Sequence, residues 1–303
     1  MGMGMNNETW RQHVVSQALL NRFCDPNDDL IGVYDVRYGH QKPSTSKAIG
    51  FQKYFVKHEP DEAEKLWRAV EDRIAPAFRE IDESPATYSP ETSAAVKDLV
   101  ALHYARSMAT RQIHDIALAN AERHVRSDTP MLSRLANLKH SGLHLEHAPG
   151  IHAEIAEEII TDLRAQLSTG VDFRDALFRF FEITKARLSG YSLMIRPAIG
   201  GAEFLLGDCP AVSVARGMNP EVRAPLLDAA MITMPLGPRS IAFVYPDGIA
   251  EATVPVDGIN AVVINRGQLT QAQERVYHRR SSGLGAWAET NRPPRGHREQ
   301  AQS

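Results

Sequence analysis

The sequence predicts an α+β fold: a helical middle, short antiparallel strands in the C-terminal third, and an N-terminal motif packing onto them. Three observations carry this. Apolar residues recur at helical spacing from Pro60 to about Leu188. Short β-type runs split by Gly, Pro and Asp then follow from Tyr191 to Tyr245. Helices segregated from strands along a chain suit α+β rather than an alternating α/β sheet.

Trp10 to Phe23 has helix-like spacing at Trp10, Val14, Ala18 and Leu19. Asp25 to Asp29 is a turn cluster, and Leu30 to Val36 a short β-type run. Phe51 to Val56 is aromatic and extended in character. Pro60, followed by Asp61, Glu62 and Glu64, opens a helix with an acidic first turn and an apolar face of Leu66, Trp67, Val70, Ile74 and Phe78. A second, long helix starts after Ser89-Pro90-Glu91 and runs to about Arg123. A third spans Ser133 to Leu143. Ile151, Ile155, Ile159 and Leu163 mark a fourth, and Phe173, Leu177, Phe181 and Leu188 a fifth.

The β-type runs are Tyr191 to Arg196, Ala202 to Leu206, Ala211 to Ala215, Met231 to Met234 and Ser240 to Tyr245. Ala261 to Ile264 adds an apolar run, and Gln268 to Arg280 reads as a closing helix. Residues 9–290 are expected to form one domain, with 1–8 and 291–303 as flexible tails. No internal repeat is evident.

Composition bounds the function classes. The chain has 303 residues, 43% of them hydrophobic and 23% charged, enough to bury a core without staples. The 34 basic and 37 acidic residues leave a net charge of -3. That balance does not favour a nucleic-acid partner, although a local basic groove stays open. No apolar run is long enough to span a bilayer, and the N-terminus has no secretory pattern. The two cysteines, Cys24 and Cys209, lack a Cys-x-x-Cys spacing and read as reduced thiols of a cytoplasmic protein. The partner and the oligomeric state are left open.

Three polar groups stand out. On the wheel of the second helix, Arg106 shares an arc with Leu99, Leu102, Ala109, Ile113 and Ile116. A guanidinium there must snorkel, find an internal acceptor, or face a cleft as an anion clamp. His13 lies in the N-terminal motif, and Asp208 follows a β-type run in Gly207-Asp208-Cys209-Pro210. Asp208 could hold a fixed carboxylate or simply make a turn. His144 and His147, in an imidazole-rich loop with Glu146, are candidate metal ligands without the His-Glu-x-x-His arrangement. No Gly-x-Ser-x-Gly elbow or phosphate-binding glycine loop is present.

An ordered series of motifs resembles the family catalogued as domain of unknown function 4238, from about His13 to about His278. The family's His-x-Val-Pro-x-x-x-Leu-x-x-Phe falls on His13, Val15, Leu20 and Phe23, with Ser16 at the proline position. Val33-Tyr34-Asp35, Tyr54-Phe55, the paired glutamates Glu64 and Glu71, and Arg106 follow. Ser/Thr-Asp-x-Pro corresponds to Gly207-Asp208-Cys209-Pro210, Pro-Leu-x-Pro to Pro235-Leu236-Gly237-Pro238, and a final Asn to Asn265. The resemblance implies the shared frame and attaches no activity to it.

Two function classes are carried forward. In one, His13, Arg106 and Asp208 converge as the catalytic site of a phosphoesterase or nuclease-like hydrolase. Histidine would transfer protons, arginine neutralise charge, and aspartate orient the histidine or hold a divalent cation as cofactor. In the other, the same residues grip an anion or brace a non-catalytic ligand-binding or protein-interaction module.

Overall fold

A computed structural model of the chain describes residues 11–85, 87–139, 149–216, 222–246 and 257–293. Its N-terminal part comprises β1 (Arg11–His13), α1 (Gln17–Asn21), β2 (Ile31–Asp35), β3 (His40–Ser44), a 3-10 turn at Ser46–Ala48 and β4 (Phe51–Lys53). The helical middle comprises α2 (Pro60–Glu71), α3 (Ile74–Glu83), α4 (Pro90–Ala105), α5 (Met108–Ser127), α6 (Thr129–Lys139), α7 (Pro149–Ser168) and α8 (Val171–Ser189). The last third comprises β5 (Tyr191–Pro197), β6 (Leu206–Gly207), β7 (Val212–Ala215), β8 (Ala229–Gly237) and β9 (Ser240–Pro246), then α9 (Gly258–Gln271), β10 (Arg275–Arg279) and α10 (Leu284–Thr290). The fold is α+β, with the helices in the middle and the sheets antiparallel.

The single helix expected over Trp10–Phe23 is a short strand followed by one helical turn; Trp10 itself lies outside the described residues. Long-range partners claim the backbone first. β1 pairs antiparallel with β4, and both amides of Val14 and Val15 donate to Gly50 O. The Gln12 side chain imitates a strand neighbour: its amide donates to Val56 O at 3.1 Å and its carbonyl accepts from Val56 N at 2.7 Å. The β-branched pair Val14-Val15 favours that extended backbone.

Two predicted helices are each split. The helix opened by Pro60 ends at Glu71, and a second begins at Ile74. The long second helix breaks at Arg106, whose ψ of 60° leaves the helical range. Ser107 then caps the next helix, its Oγ accepting from Thr110 N at 3.2 Å. A serine competes well for that role, because its hydroxyl satisfies an amide the helix start would orphan.

α4 is the centre of the core. Ala95, Val96, Leu99, Val100, Ala101 and Leu102 are buried, so its second half is enclosed on all sides while Glu91 and Ala94 in the first half stay exposed. Each of its buried Val or Leu side chains contributes about 1.5–3 kcal/mol of burial. Its start is held by Ser89, whose Oγ accepts from Thr92 N, and by Glu80, which accepts from Ser89 N and Oγ. The main core runs from Val14 through α2–α4 and α8 to the strands and Tyr277. α6 and α7 build a smaller cluster around Leu132, Ala136, Ile155 and Ala156.

One four-stranded sheet has the order β5-β9-β8-β7 and follows the hairpin reading of the last third, except at Ala202–Leu206, where only Leu206 is in a strand and that strand, β6, pairs with β10 in the other sheet. The other, β3-β2-β10-β6, draws its strands from both ends of the chain. Here the sequence reading needs correction: Gln268–Arg280 is not one helix. α9 ends at Gln271, and Arg275–Arg279 is a strand between β2 and β6. Ala261–Ile264, read as an apolar run after the strands, lies within α9.

Candidate functional site

β1 and α1 set two polar side chains at the edge of the helical core. His13 is the last residue of β1, and Ser16 is the N-cap residue of α1. On α2, Glu64, Trp67 and Glu71 fall at i, i+3 and i+7, one face of the helix. At the end of α4, His103 and Arg106 stand three residues apart. These six side chains and Ser16 form one polar cluster.

Arg106 is its hub. It is 1% exposed. Its Nη2 donates to Glu71 Oε1 at 2.7 Å and to Ser16 Oγ at 3.2 Å, and its guanidinium lies 4.7 Å from the Trp67 ring centroid. The Ser16 hydroxyl is also 2.8 Å from His103 Nε2. A buried guanidinium is tolerable only when such partners offset its desolvation. The expected anion clamp therefore already holds an internal carboxylate.

Four buried polar atoms of the cluster have no side-chain partner: His13 Nε2, Glu64 Oε1, His103 Nδ1 and Arg106 Nε. Buried polar atoms are seldom left so, and such atoms call for a physical reason. Burial lowers the pKa of His13, with the nearby Arg106 charge acting in the same direction and Glu71 opposing. Burial raises the pKa of Glu64, against Arg106 and with Glu71. Burial and Arg106 hold His103 well below its ordinary value. Burial thus biases the His13 imidazole and the Glu64 carboxyl toward their uncharged forms beside one fixed guanidinium. An imidazole biased toward its neutral form can take a proton and a carboxyl biased toward its protonated form can give one, the pair that base and acid roles need.

Asp208 follows β6 in a different setting. Its Oδ1 accepts from Gln273 N at 2.8 Å, and its Oδ2 from Glu274 N at 2.7 Å and Arg275 N at 2.9 Å. These three amides form the turn between α9 and β10. Burial raises the Asp208 pKa while the amides act to lower it. Its backbone donors all lie in this turn, the Cys209 thiol beside it is a further partner, and among the described residues no bond joins it to His13 or Arg106. The structure therefore joins two of the three sequence candidates and gives the third its own partners.

α9 is fastened to the same segment by two amide side chains. Asn265 accepts from Leu205 N and donates to Glu203 O; Gln268 accepts from Gly207 N and donates to Pro210 O. A side chain at Gly207 would bring its Cβ within 3.0 Å of Gln268 O. His144 and His147 lie outside the described residues. Among the described residues no group of three or more His, Cys, Asp and Glu is arranged to hold a metal ion.

The family model described as Protein of unknown function (DUF4238) matches residues 11–282. The chain belongs to this family. In DUF4238 terms, the N-terminal His motif, the paired glutamates and the mid-chain arginine meet in one cluster, and the Asp-x-Pro and Asn motifs meet at the α9 attachment. No curated protein and no solved structure matches the chain. Sequence reading of this DUF4238 member missed Ser16, Trp67 and His103 as parts of the cluster. His103 carried a signal, three residues before Arg106 on the same helix; Ser16 stood out only as a replacement for the family's proline.

Proposed function

We propose that the protein is a hydrolase of phosphate esters, nuclease-like in the bond it cleaves, with its chemistry at the His13–Arg106 cluster. One observation carries this reading: His13 and Glu64, with opposite pKa biases and each with an unpartnered buried atom, flank the same guanidinium. His13 would accept a proton from the attacking water, and Glu64 would donate one to the leaving oxygen. Arg106, oriented by Glu71 and Ser16, would stabilise charge on the phosphoryl oxygens. Asp208 would support this site from a distance by fixing the α9–β10 turn. A divalent cation would be supplied by substrate or solvent.

A specific observation favours the second reading, a non-catalytic module in which the cluster is a brace: both hydrogen bonds of Arg106 end on protein groups. The two separate in one experiment. The wild type and His13→Gln are assayed on bis(p-nitrophenyl) phosphate, single-stranded RNA and single-stranded DNA, with and without Mg²⁺. Hydrolysis lost in a folded His13→Gln supports the hydrolase; a wild type inert on all three substrates supports the brace.

Residues 9–290 are read as one folding unit, supported by a core that reaches from Val14 to Tyr277. Among the described residues no helix is long and apolar enough to cross a membrane. Cys24 and Cys209 are free thiols, which supports the cytoplasmic reading.

A further inference from the structure

The net charge of -3 conceals an uneven distribution. Residues 36–58 contain no Asp or Glu, whereas Arg37, Lys42, Lys47, Lys53 and Lys57 recur every four to six residues. This stretch leaves β2 and runs through β3, the 3-10 turn and β4. All four lysines are exposed, and Lys42, Lys47 and Lys57 form no ion pair among the described residues. Lysine on an edge strand guards against stray strand pairing. That role covers Lys42 and Lys53 but not Lys47 or Lys57, which lie in no strand.

The same stretch carries exposed rings. Tyr38 is 61% and Tyr54 55% exposed, and no other Phe, Tyr or Trp among the described residues is exposed. Tyr38 stacks on His40, with ring centroids 6.4 Å apart and an interplanar angle of 20°. Tyr54 holds a φ of 53°, a conformation that costs a tyrosine free energy, without burying its ring. Val36, Ile49 and Val56 are buried, so the surface offers no aliphatic anchor to a bilayer.

The β1–β4 ribbon carries this charge to the His13 cluster. Arg11 registers opposite Lys53, and His13 opposite Phe51. These four share the face opposite Gln12, whose side chain turns inward to Val56. Arg11 is exposed and lays its guanidinium 3.7 Å from the Phe51 ring centroid. Cations interleaved with exposed rings suit a chain of phosphates that carries free bases: the cations neutralise phosphates and the ring faces stack bases. A duplex keeps its bases stacked inside and offers none to Tyr38 or Tyr54.

We propose that residues 36–58 together with β1 form a binding surface for single-stranded nucleic acid, with the phosphate chain along Lys42, Lys47, Lys53 and Arg11 and bases stacked on Tyr38 and Tyr54. The inference rests on the hydrolase reading only in naming that site's substrate; the binding itself needs no chemistry at His13.

Fluorescence anisotropy of labelled oligothymidylate and oligouridylate, titrated with the full chain, tests it. His13→Gln is run beside the wild type so that cleavage does not obscure binding. The expected result is saturable binding by both proteins that weakens as salt rises. The triple variant Lys42→Gln, Lys47→Gln, Lys53→Gln should flatten the slope of log affinity against log salt by about 2, the share of three phosphate contacts on a single strand. Tyr54→Ala should bind ~10-fold more weakly and Tyr54→Phe like the wild type, the effect of one stacked base. Tyr38→Ala gives the same reading at the second ring. No saturable binding to either oligomer, an unchanged slope in the triple variant, or wild-type affinity in both alanine variants would each overturn the proposal. Tighter binding to phosphatidylserine vesicles than to both oligomers would also overturn it and make the surface a membrane one. Binding without cleavage would keep this surface and remove the hydrolase; cleavage of bis(p-nitrophenyl) phosphate without oligomer binding would do the reverse.

Discussion

Arg106 Nη2 donates to Glu71 Oε1 at 2.7 Å, linking the end of α4 to the end of α2 across a guanidinium that is almost wholly buried. The bond sits where the long predicted helix breaks, so an ionic contact and a chain reversal share one residue.

Removing one partner of this pair should cost more than losing a surface ion pair. Glu71→Ala leaves the Arg106 charge buried with only Ser16 as an acceptor, and a loss of about 3 kcal/mol is expected. Arg106→Lys should not rescue the wild-type stability, because an ammonium cannot reproduce the planar fork or its stacking on Trp67. Urea denaturation followed by circular dichroism measures both. A change within about 0.5 kcal/mol for Glu71→Ala would place the pair among inconsequential surface contacts.

Asp208 and His13 should respond differently to substitution. Asp208→Ala orphans three backbone amides, each at about 1–3 kcal/mol, and should unfold the α9–β10 turn or lower stability by more than about 3 kcal/mol. Asp208→Asn keeps one acceptor oxygen and should lose less. His13→Gln should retain most of the stability, because His13 Nε2 has no partner to lose. Thermal melts of the three variants give the order directly; equal losses would contradict it.

Acid should weaken the fold through its buried imidazoles. His13, His103 and His278 all have folded pKa values below the ordinary 6.5. A depressed folded pKa contributes stability that is present above the unfolded value and lost as pH falls through the folded one. Stability should therefore decline as pH drops from about 6.5, and His13→Gln should flatten part of that decline. Glu64 has the opposite sign: its raised pKa contributes stability at low pH that is lost as pH rises through the folded value. Denaturation midpoints compared at pH 7 and pH 5 for wild type, His13→Gln and Glu64→Gln test both signs.

Gly207→Ser, which introduces a residue the family motif carries, should destabilise this member. The new Cβ would come within 3.0 Å of Gln268 O and 3.1 Å of its Oε1. Relief requires α9 to shift and its bond to Gly207 N to lengthen, at about 1–3 kcal/mol. An unchanged melting temperature would show that α9 moves freely against β6.

The sequence by itself determined the α+β class, the helical middle and the hairpin sheet of the last third, because periodicity and turn residues act over a few neighbours. Ile151, Ile155, Ile159 and Leu163 lie on α7 wherever that helix packs. It also marked His13, Arg106 and Asp208 as polar groups needing an explanation. Only the tertiary structure decided which of them meet. β1 formed in place of a helix because Val56 and Gly50, some forty residues away, supply its hydrogen-bond partners. β10 became a strand because β2 and β6 flank it and Asp208 gathers the amides before it. Arg106 found Glu71 and Ser16 rather than Asp208, because a buried charge takes the partners that packing brings within reach, and no local pattern records that distance.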